Sequence, residues 1–260
     1  MELDRHPDDP TPRRPGTRTR EGAAPPTSDG VAAERDPGEI RGHWNVRSFD
    51  FGGAHPRLIL IATMILGLPE IMTMLDVGCG PAPLRDIVPR HIEYFGIDIA
   101  TSVIAAMRDP AHFEAVDLDE RQEAFGGRRF DLVVCSGVFE YINRRQAFID
   151  FLKRKVRPGG WLIMSFTNHQ HRKDGLHWVR GHYTSYTDPH VNFLLVPQIR
   201  ALLRDNGWQI LQHRTLTASG REHPILHRFV HFPLNILNRT YVFLCRSRES
   251  AASTGAHAPT

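Results

Sequence analysis

Cysteine is scarce in this chain of 260 residues, and the three present, Cys79, Cys135 and Cys245, stand far apart. No two share the spacing of a disulfide framework or a zinc knuckle, so the fold is expected to rest on its core, in a reducing, cytoplasmic setting, with no metal. Long apolar runs are lacking too. The longest, Leu58 to Leu68, falls short of the ~20 residues that cross a bilayer and stops at Pro69-Glu70, so it reads as a buried helix and no membrane partner is expected. The N-terminal stretch has no apolar segment of the kind a secretory signal needs. A large excess of one charge is also missing: the formal net charge is +3. The basic residues form no stripe, and nucleic acid is not an expected partner.

What is present is enough apolar residue, 41% of the chain, for one full-sized α/β core. Residues 1–39 are rich in Pro, Arg, Asp, Gly and Thr and are expected to form a disordered arm, because they cannot bury enough apolar surface to offset the entropy of ordering. Residues 248–260 read as a second disordered tail. The domain between them, 40–247, shows no internal repeat.

Apolar runs alternate there with helix-like segments, the rhythm of βαβ units around a mostly parallel sheet. Strands are expected at Met72-Val77, Tyr94-Asp98, Phe113-Asp117, Phe130-Ser136 and Trp161-Thr167. Thr101 and Ser102 can cap one helix, and Asn143 another, in which Phe148, Phe151, Leu152 and Val156 recur at helical spacing. Arg157-Pro158-Gly159-Gly160 reads as the turn into the fifth strand. Pro197-Asn206 reads as a helix stopped by Gly207. Trp208-Leu216 and Arg239-Arg246 read as two further strands, joined by a connector too long for a tight hairpin.

The first strand ends in Asp76 and runs into Gly78-Cys79-Gly80-Pro81-Ala82-Pro83. Glycines there let the backbone approach a ligand closely. A dinucleotide fingerprint would ask for a third glycine at position 83, which is Pro, and this weakens a nicotinamide-dependent reductase reading. Asp98 ends the second strand, where a carboxylate can accept from both ribose hydroxyls of a nucleoside. Asp117 follows at the end of the third and can accept from an adenine amino group. Three acids at three successive strand ends form a constellation rather than a lone motif.

Together, Leu75-Asp76-Val77-Gly78-Cys79-Gly80, Gly96-Ile97-Asp98, Asp117-Leu118, Phe130-Asp131-Leu132-Val133-Val134-Cys135-Ser136 and Arg157-Pro158-Gly159-Gly160 resemble the successive motifs of class I methyltransferases that use S-adenosylmethionine (SAM). The resemblance runs over about residues 70 to 216, departs at Ala82, where many members have glycine, and extends weakly to the MetW-like and UbiE-like small-molecule branch. It implies a Rossmann-like, seven-stranded, mostly parallel sheet with an antiparallel last strand and helices on both faces. It also implies that Asp76, Gly78, Cys79 and Gly80 hold the methionine part of SAM and that Asp98 binds the ribose. Ile99 and Leu118 would flank the adenine, with Asp117 at its amino group, and the backbone at Ser136 would meet the ammonium. Val138-Phe139-Glu140-Tyr141-Ile142 resembles a segment that often reads Val-Leu-Glu-His-Ile, with Tyr141 in place of the His.

On the acceptor side, the histidines at 169, 171, 177, 182 and 190 match no zinc pattern. His177, His190 and Glu140 are the candidates for an acid-base role, which a hydroxyl acceptor would require. The expectation is methyl transfer to O, N or C of a small metabolite, oxygen preferred. The alternative is a methyltransferase-fold subunit that binds SAM without catalysis and partners another enzyme. Trp44 precedes the core, where related enzymes fold a helix over the cofactor, and either packs in the core or faces the sulfonium. The sequence leaves the oligomeric state open.

Overall fold

Strands form where β-branched and aromatic residues cluster between turn residues, and here the runs are apolar throughout because the sheet is covered on both faces. A computed structural model describes residues 36–46, 55–168, 190–217, 219–222 and 237–248. The strands are β1 (Thr73–Val77), β2 (Glu93–Asp98), β3 (Phe113–Ala115), β4 (Phe130–Ser136), β5 (Val156–Thr167), β6 (Trp208–Thr217) and β7 (Asn238–Ser247). They lie in the order β3-β2-β1-β4-β5-β7-β6. β1 to β5 run parallel, while β7 is antiparallel to both β5 and β6. The expected Rossmann-like sheet with an antiparallel last strand is therefore the observed one.

The helices among the described residues are α1 (Pro37–Val46), α2 (Pro56–Leu66), α3 (Thr101–Ala105), α4 (Arg145–Lys155) and α5 (Val196–Asp205). The sheet separates two apolar layers. On one face Leu75, Val133, Leu162 and Phe243 meet Phe148, Phe151 and Leu152 of α4 and Ile199 and Leu203 of α5. On the other, Met74, Leu132, Ile163 and Val242 meet Leu58, Ile61, Met64 and Ile65 of α2. Each such fully buried side chain contributes about 1.5–3 kcal/mol relative to exposure. None of these helices is long and apolar enough to cross a membrane.

Four local expectations are corrected. Thr101 and Ser102 do not cap α3, whose N-cap is Ala100 without a side-chain bond. The cap comes from a distance: Asn45 Oδ1 on α1 accepts from Ser102 N at 3.3 Å and from Thr101 Oγ1 at 3.1 Å. The N-cap of α4 is likewise Arg144 rather than Asn143. Asp119 takes the donors ahead of that helix, accepting from Asn143 N at 3.1 Å and Arg144 N at 2.9 Å. Arg157-Gly160 lies inside β5 as an irregularity of the β4–β5 ladder, with Gly159 at φ +69°, rather than before the strand. β3 is also shorter than expected and leaves Asp117 two residues past its end.

Candidate active site

In an open parallel sheet the crevice for a ligand opens at the carboxyl ends of the strands where the order reverses, here between β1 and β4. β1 delivers Asp76 to that edge, next in register to Gly96 of β2 and Val134 of β4. The chain then turns sharply, with Gly78 at φ +75° and Gly80 at φ +52°. Glycine is needed at 78 for a second reason: a Cβ there would lie 2.2 Å from Val138 Cγ2. Gly78 N and Cys79 N both donate to Ile97 O, at 2.8 and 3.0 Å, which fixes the turn against β2. Ala82, the departure from the family pattern, itself sits at φ +57°.

Asp98 is buried, and its two oxygens hold the rim together. Oδ2 accepts from Gly80 N at 2.7 Å and Oδ1 from Ala100 N at 2.8 Å. Burial pushes its carboxyl above the usual range, while those backbone donors pull it back. Asp76 is also buried, and Tyr94 Oη donates to its Oδ2 at 2.5 Å. Burial raises Asp76 to about 7 against the opposing effect of Tyr94. Both Cys79 and Cys135 are buried free thiols raised well above their ordinary range by burial, which disfavours nucleophile chemistry.

Asp117 and Leu118 follow β3. Leu118 is buried in the core, while Ile99 at the tip of β2 is partly exposed. Asp117 Oδ2 accepts from Arg41 on α1 at 2.7 Å, and Oδ1 accepts from Asp119 N at 3.0 Å. Arg41 also pairs with Glu120 at 2.5 Å. α1 thus spans the crevice: Arg41 at the β3 end, Asn45 on α3, and the Trp44 ring edge-on to Tyr141 at 5.0 Å. Ser136, at the end of β4, shares a hydrogen bond with Ser165 of β5 at 3.2 Å.

Past β4 the chain makes a 3₁₀ turn at Phe139–Tyr141, where the acceptor side is expected. Glu140 is buried, its Oε1 accepting from Thr167 N at 2.6 Å and its backbone carbonyl accepting from Val191 N at 2.7 Å. Its Oε2 is enclosed with no hydrogen-bond partner among the described residues. His190 Nε2 lies 3.0 Å from Tyr141 Oη. His177, with the histidines at 169, 171 and 182, lies outside the described residues.

One residue escaped the sequence reading. Arg57, in the first turn of α2, reaches the turn after β4, where a Cβ on Gly137 would lie 2.8 Å from its Nη1. Its guanidinium makes no side-chain hydrogen bond or ion pair among the described residues, its Nε is shut from solvent, and burial lowers its pKa. Its charge acts on Glu140, Tyr141 and Asp76. A partly desolvated cation of this kind is complementary to a ligand carboxylate.

Residues 55–213 match the family described as a methyltransferase domain, well over half the chain. The chain belongs to the methyltransferase-domain family. Among curated proteins it is 30% identical over 105 residues to a ubiquinone biosynthesis O-methyltransferase of Paraburkholderia phytofirmans, a stretch covering 37% of this chain and 44% of that relative. A longer match, 26% over 191 residues, covers 68% of this chain and 77% of the Paracidovorax citrulli enzyme of the same description. The first match therefore spans under half of its relative. In fold the chain resembles the magnesium protoporphyrin IX methyltransferase of Synechocystis PCC 6803, solved with bound S-adenosylhomocysteine, at TM-score 0.56 and 17% identity, covering 82% of this chain and 100% of that one.

SAM is the cofactor of the family, and the rim fits it. A glycine turn presses close to β2, a buried carboxylate crosses the β2 tip, and Arg57 and Asp76 place opposite charges within electrostatic reach of each other. Among the described residues no three His, Cys, Asp or Glu side chains cluster as metal ligands.

Proposed function

We propose that the protein is a SAM-dependent methyltransferase that methylates an oxygen atom of a small metabolite. The observation that carries the reading is the enclosed Arg57 guanidinium, without a hydrogen-bond partner among the described residues, within electrostatic reach of the buried Asp76 carboxylate that precedes the glycine turn. These two charges match the carboxylate and ammonium of an amino-acid tail, and Asp98 at the next strand tip matches a ribose.

SAM supplies a methyl group already activated on a sulfonium, and the electron pair of the broken sulfur-carbon bond stays with sulfur. The chain's own residues then have three tasks. Arg57, Asp76, Gly78, Cys79, Gly80 and Ser136 hold the amino-acid end. Asp98, Ile99, Asp117 and Leu118 hold the nucleoside. The acceptor side excludes water, with Trp44 on α1 closing against Tyr141, and takes the proton that an attacking hydroxyl releases.

Oxygen is preferred because two groups that can move a proton, His190 and Glu140, lie beside the turn that follows β4. The naming of the curated relatives as O-methyltransferases points the same way. Incubation of the protein with methyl-labelled SAM and the small-molecule fraction of a cell extract tests the reading, the labelled product being identified by mass spectrometry. A label on carbon or nitrogen removes the oxygen assignment. Binding of SAM without any labelled product favours a non-catalytic partner subunit.

A further inference from the structure

We propose that Tyr141 is the group that takes the acceptor's proton, and that the buried His190 behind it receives the proton Tyr141 gives up. The inference rests on the methyl-transfer reading above and adds to it a named proton path.

The geometry is specific. Tyr141 ends the 3₁₀ turn that follows β4, so its backbone stands immediately beyond the Ser136-Gly137-Val138 stretch that meets both the glycine turn and Arg57. Tyr141 is partly exposed and His190 is buried, the order that a proton path from the acceptor into the protein requires. The oxygen lies 3.0 Å from Nε2 and the ring centroids are 4.8 Å apart.

The segment carrying His190 is fastened to the turn carrying Tyr141 at four places. Glu140 O accepts from Val191 N at 2.7 Å and from Asn192 N at 3.1 Å. Asn192 Nδ2 donates to Phe139 O at 2.7 Å and to Ile142 O at 2.6 Å. A Tyr–His contact needed only for packing would not require such fixing of both backbones. A proton relay does, because transfer efficiency depends on hydrogen-bond geometry.

A tyrosine hydroxyl both donates and accepts, so one oxygen can receive a proton while passing its own to an imidazole nitrogen. The acceptor's O–H bond breaks as its oxygen bonds to the methyl carbon, and the released proton bonds to Tyr141 Oη. The hydroxyl proton of Tyr141 moves to His190 Nε2, leaving an imidazolium that later returns a proton to water. Among the described residues, Arg57 from α2 acts on Tyr141 and also on Glu140 of the same turn and Asp76 of β1, and His43 stands one ring farther out on α1, beyond Trp44. Arg57 favours negative charge on the phenol oxygen during the transfer.

Two readouts test this. In cofactor-free protein with ¹⁵N-labelled histidine, the two-bond proton–nitrogen spectrum should show His190 as the tautomer with bare Nε2, the signal being identified by its loss in His190→Gln. A proton on Nε2 overturns the proposal. In the labelled-SAM assay on the small-molecule extract, Tyr141→Phe should lower the rate by about 10²- to 10⁴-fold. Its calorimetric affinity for SAM should equal that of the wild type, which also shows that it is folded. His190→Gln should abolish the acidic limb of the pH–rate profile, and Tyr141→His should recover part of the rate with a shifted profile. Tyr141→Phe at the wild-type rate, or His190→Gln with the wild-type acidic limb, overturns the proposal and leaves methyl transfer standing. A wild-type protein without affinity for SAM overturns both.

Discussion

Asp76 should make the protein less stable as the pH rises from acid to neutral, the reverse of most buried carboxylates that are paired with a cation. Its carboxyl is buried against Tyr94 and titrates at about 7 in the folded chain, against an ordinary 3.8. Between those values the native state holds a proton that the unfolded chain has released. Stability therefore falls with rising pH in that window; the contribution is fully present below the unfolded value and is gone above the folded one. The gap is about three pH decades, each worth about 1.4 kcal/mol, so the effect approaches ~4 kcal/mol as an upper figure. Asp76→Asn keeps the shape and an oxygen for Tyr94 but cannot ionise. Urea unfolding of both proteins at several values between about pH 4 and pH 8 should show the variant gaining on the wild type by several kcal/mol across the series. A constant difference between the two curves refutes the reasoning. The same ionisation predicts that the affinity for SAM rises through the neutral range, because a charged Asp76 is the form that pairs with an ammonium.

Asp98→Asn should weaken SAM binding by about 10- to 100-fold in calorimetry, and cost about 1–3 kcal/mol of stability, because one of Gly80 N and Ala100 N then faces an amide donor instead of a carboxylate. Unchanged affinity removes Asp98 from the ribose site. Gly78→Ala should cost about 1–3 kcal/mol for its left-handed backbone and about as much again for the contact with Val138. Adding Val138→Ala should recover the second part alone in denaturant unfolding. Lys155→Met retains the apolar stem of a side chain that is only 2% exposed but strips the donor from Ala124 O and Glu123, and should lower stability by about 1–3 kcal/mol. A neutral result there would mean that water replaces the ammonium.

The sheet was legible because each strand is an apolar run of the right length, and a parallel sheet covered on both faces needs such runs whatever else surrounds them. The strand tips were legible in part: Asp76 and Asp98 lie in the last two residues of β1 and β2, where an acid closing an apolar run comes out, whereas β3 stops at Ala115 and leaves Asp117 two residues beyond it. The helix caps were not legible, since the oxygens that satisfy α3 and α4 come from Asn45 and Asp119, which are 57 and 25 residues away. Nothing in a local window records a donor met across the fold. The turn at Arg157-Gly160 misled for the opposite reason, as a Pro-Gly-Gly sequence that ordinarily ends an element was absorbed into β5 at an irregularity of the ladder.

Arg57 is the instructive miss. It is one of 32 basic residues, and its meeting with Gly137 joins positions 80 apart. One local signal was nevertheless available. The helix it opens is otherwise apolar and has no acid in its first turn, yet a cation occupies the end where the helix dipole is positive. That placement costs a few tenths to about 1 kcal/mol in an exposed helix and more when desolvated. A chain that needed only a helix at this place would do better with an acid or a neutral residue there. The nearby Glu140 and Asp76 favour the cation, but burial outweighs them and no direct ion pair forms among the described residues, so Arg57→Met should raise the stability of the cofactor-free protein while weakening its hold on SAM. Parallel thermal melts with and without SAM would measure both, and loss of stability in the absence of SAM would refute the assignment.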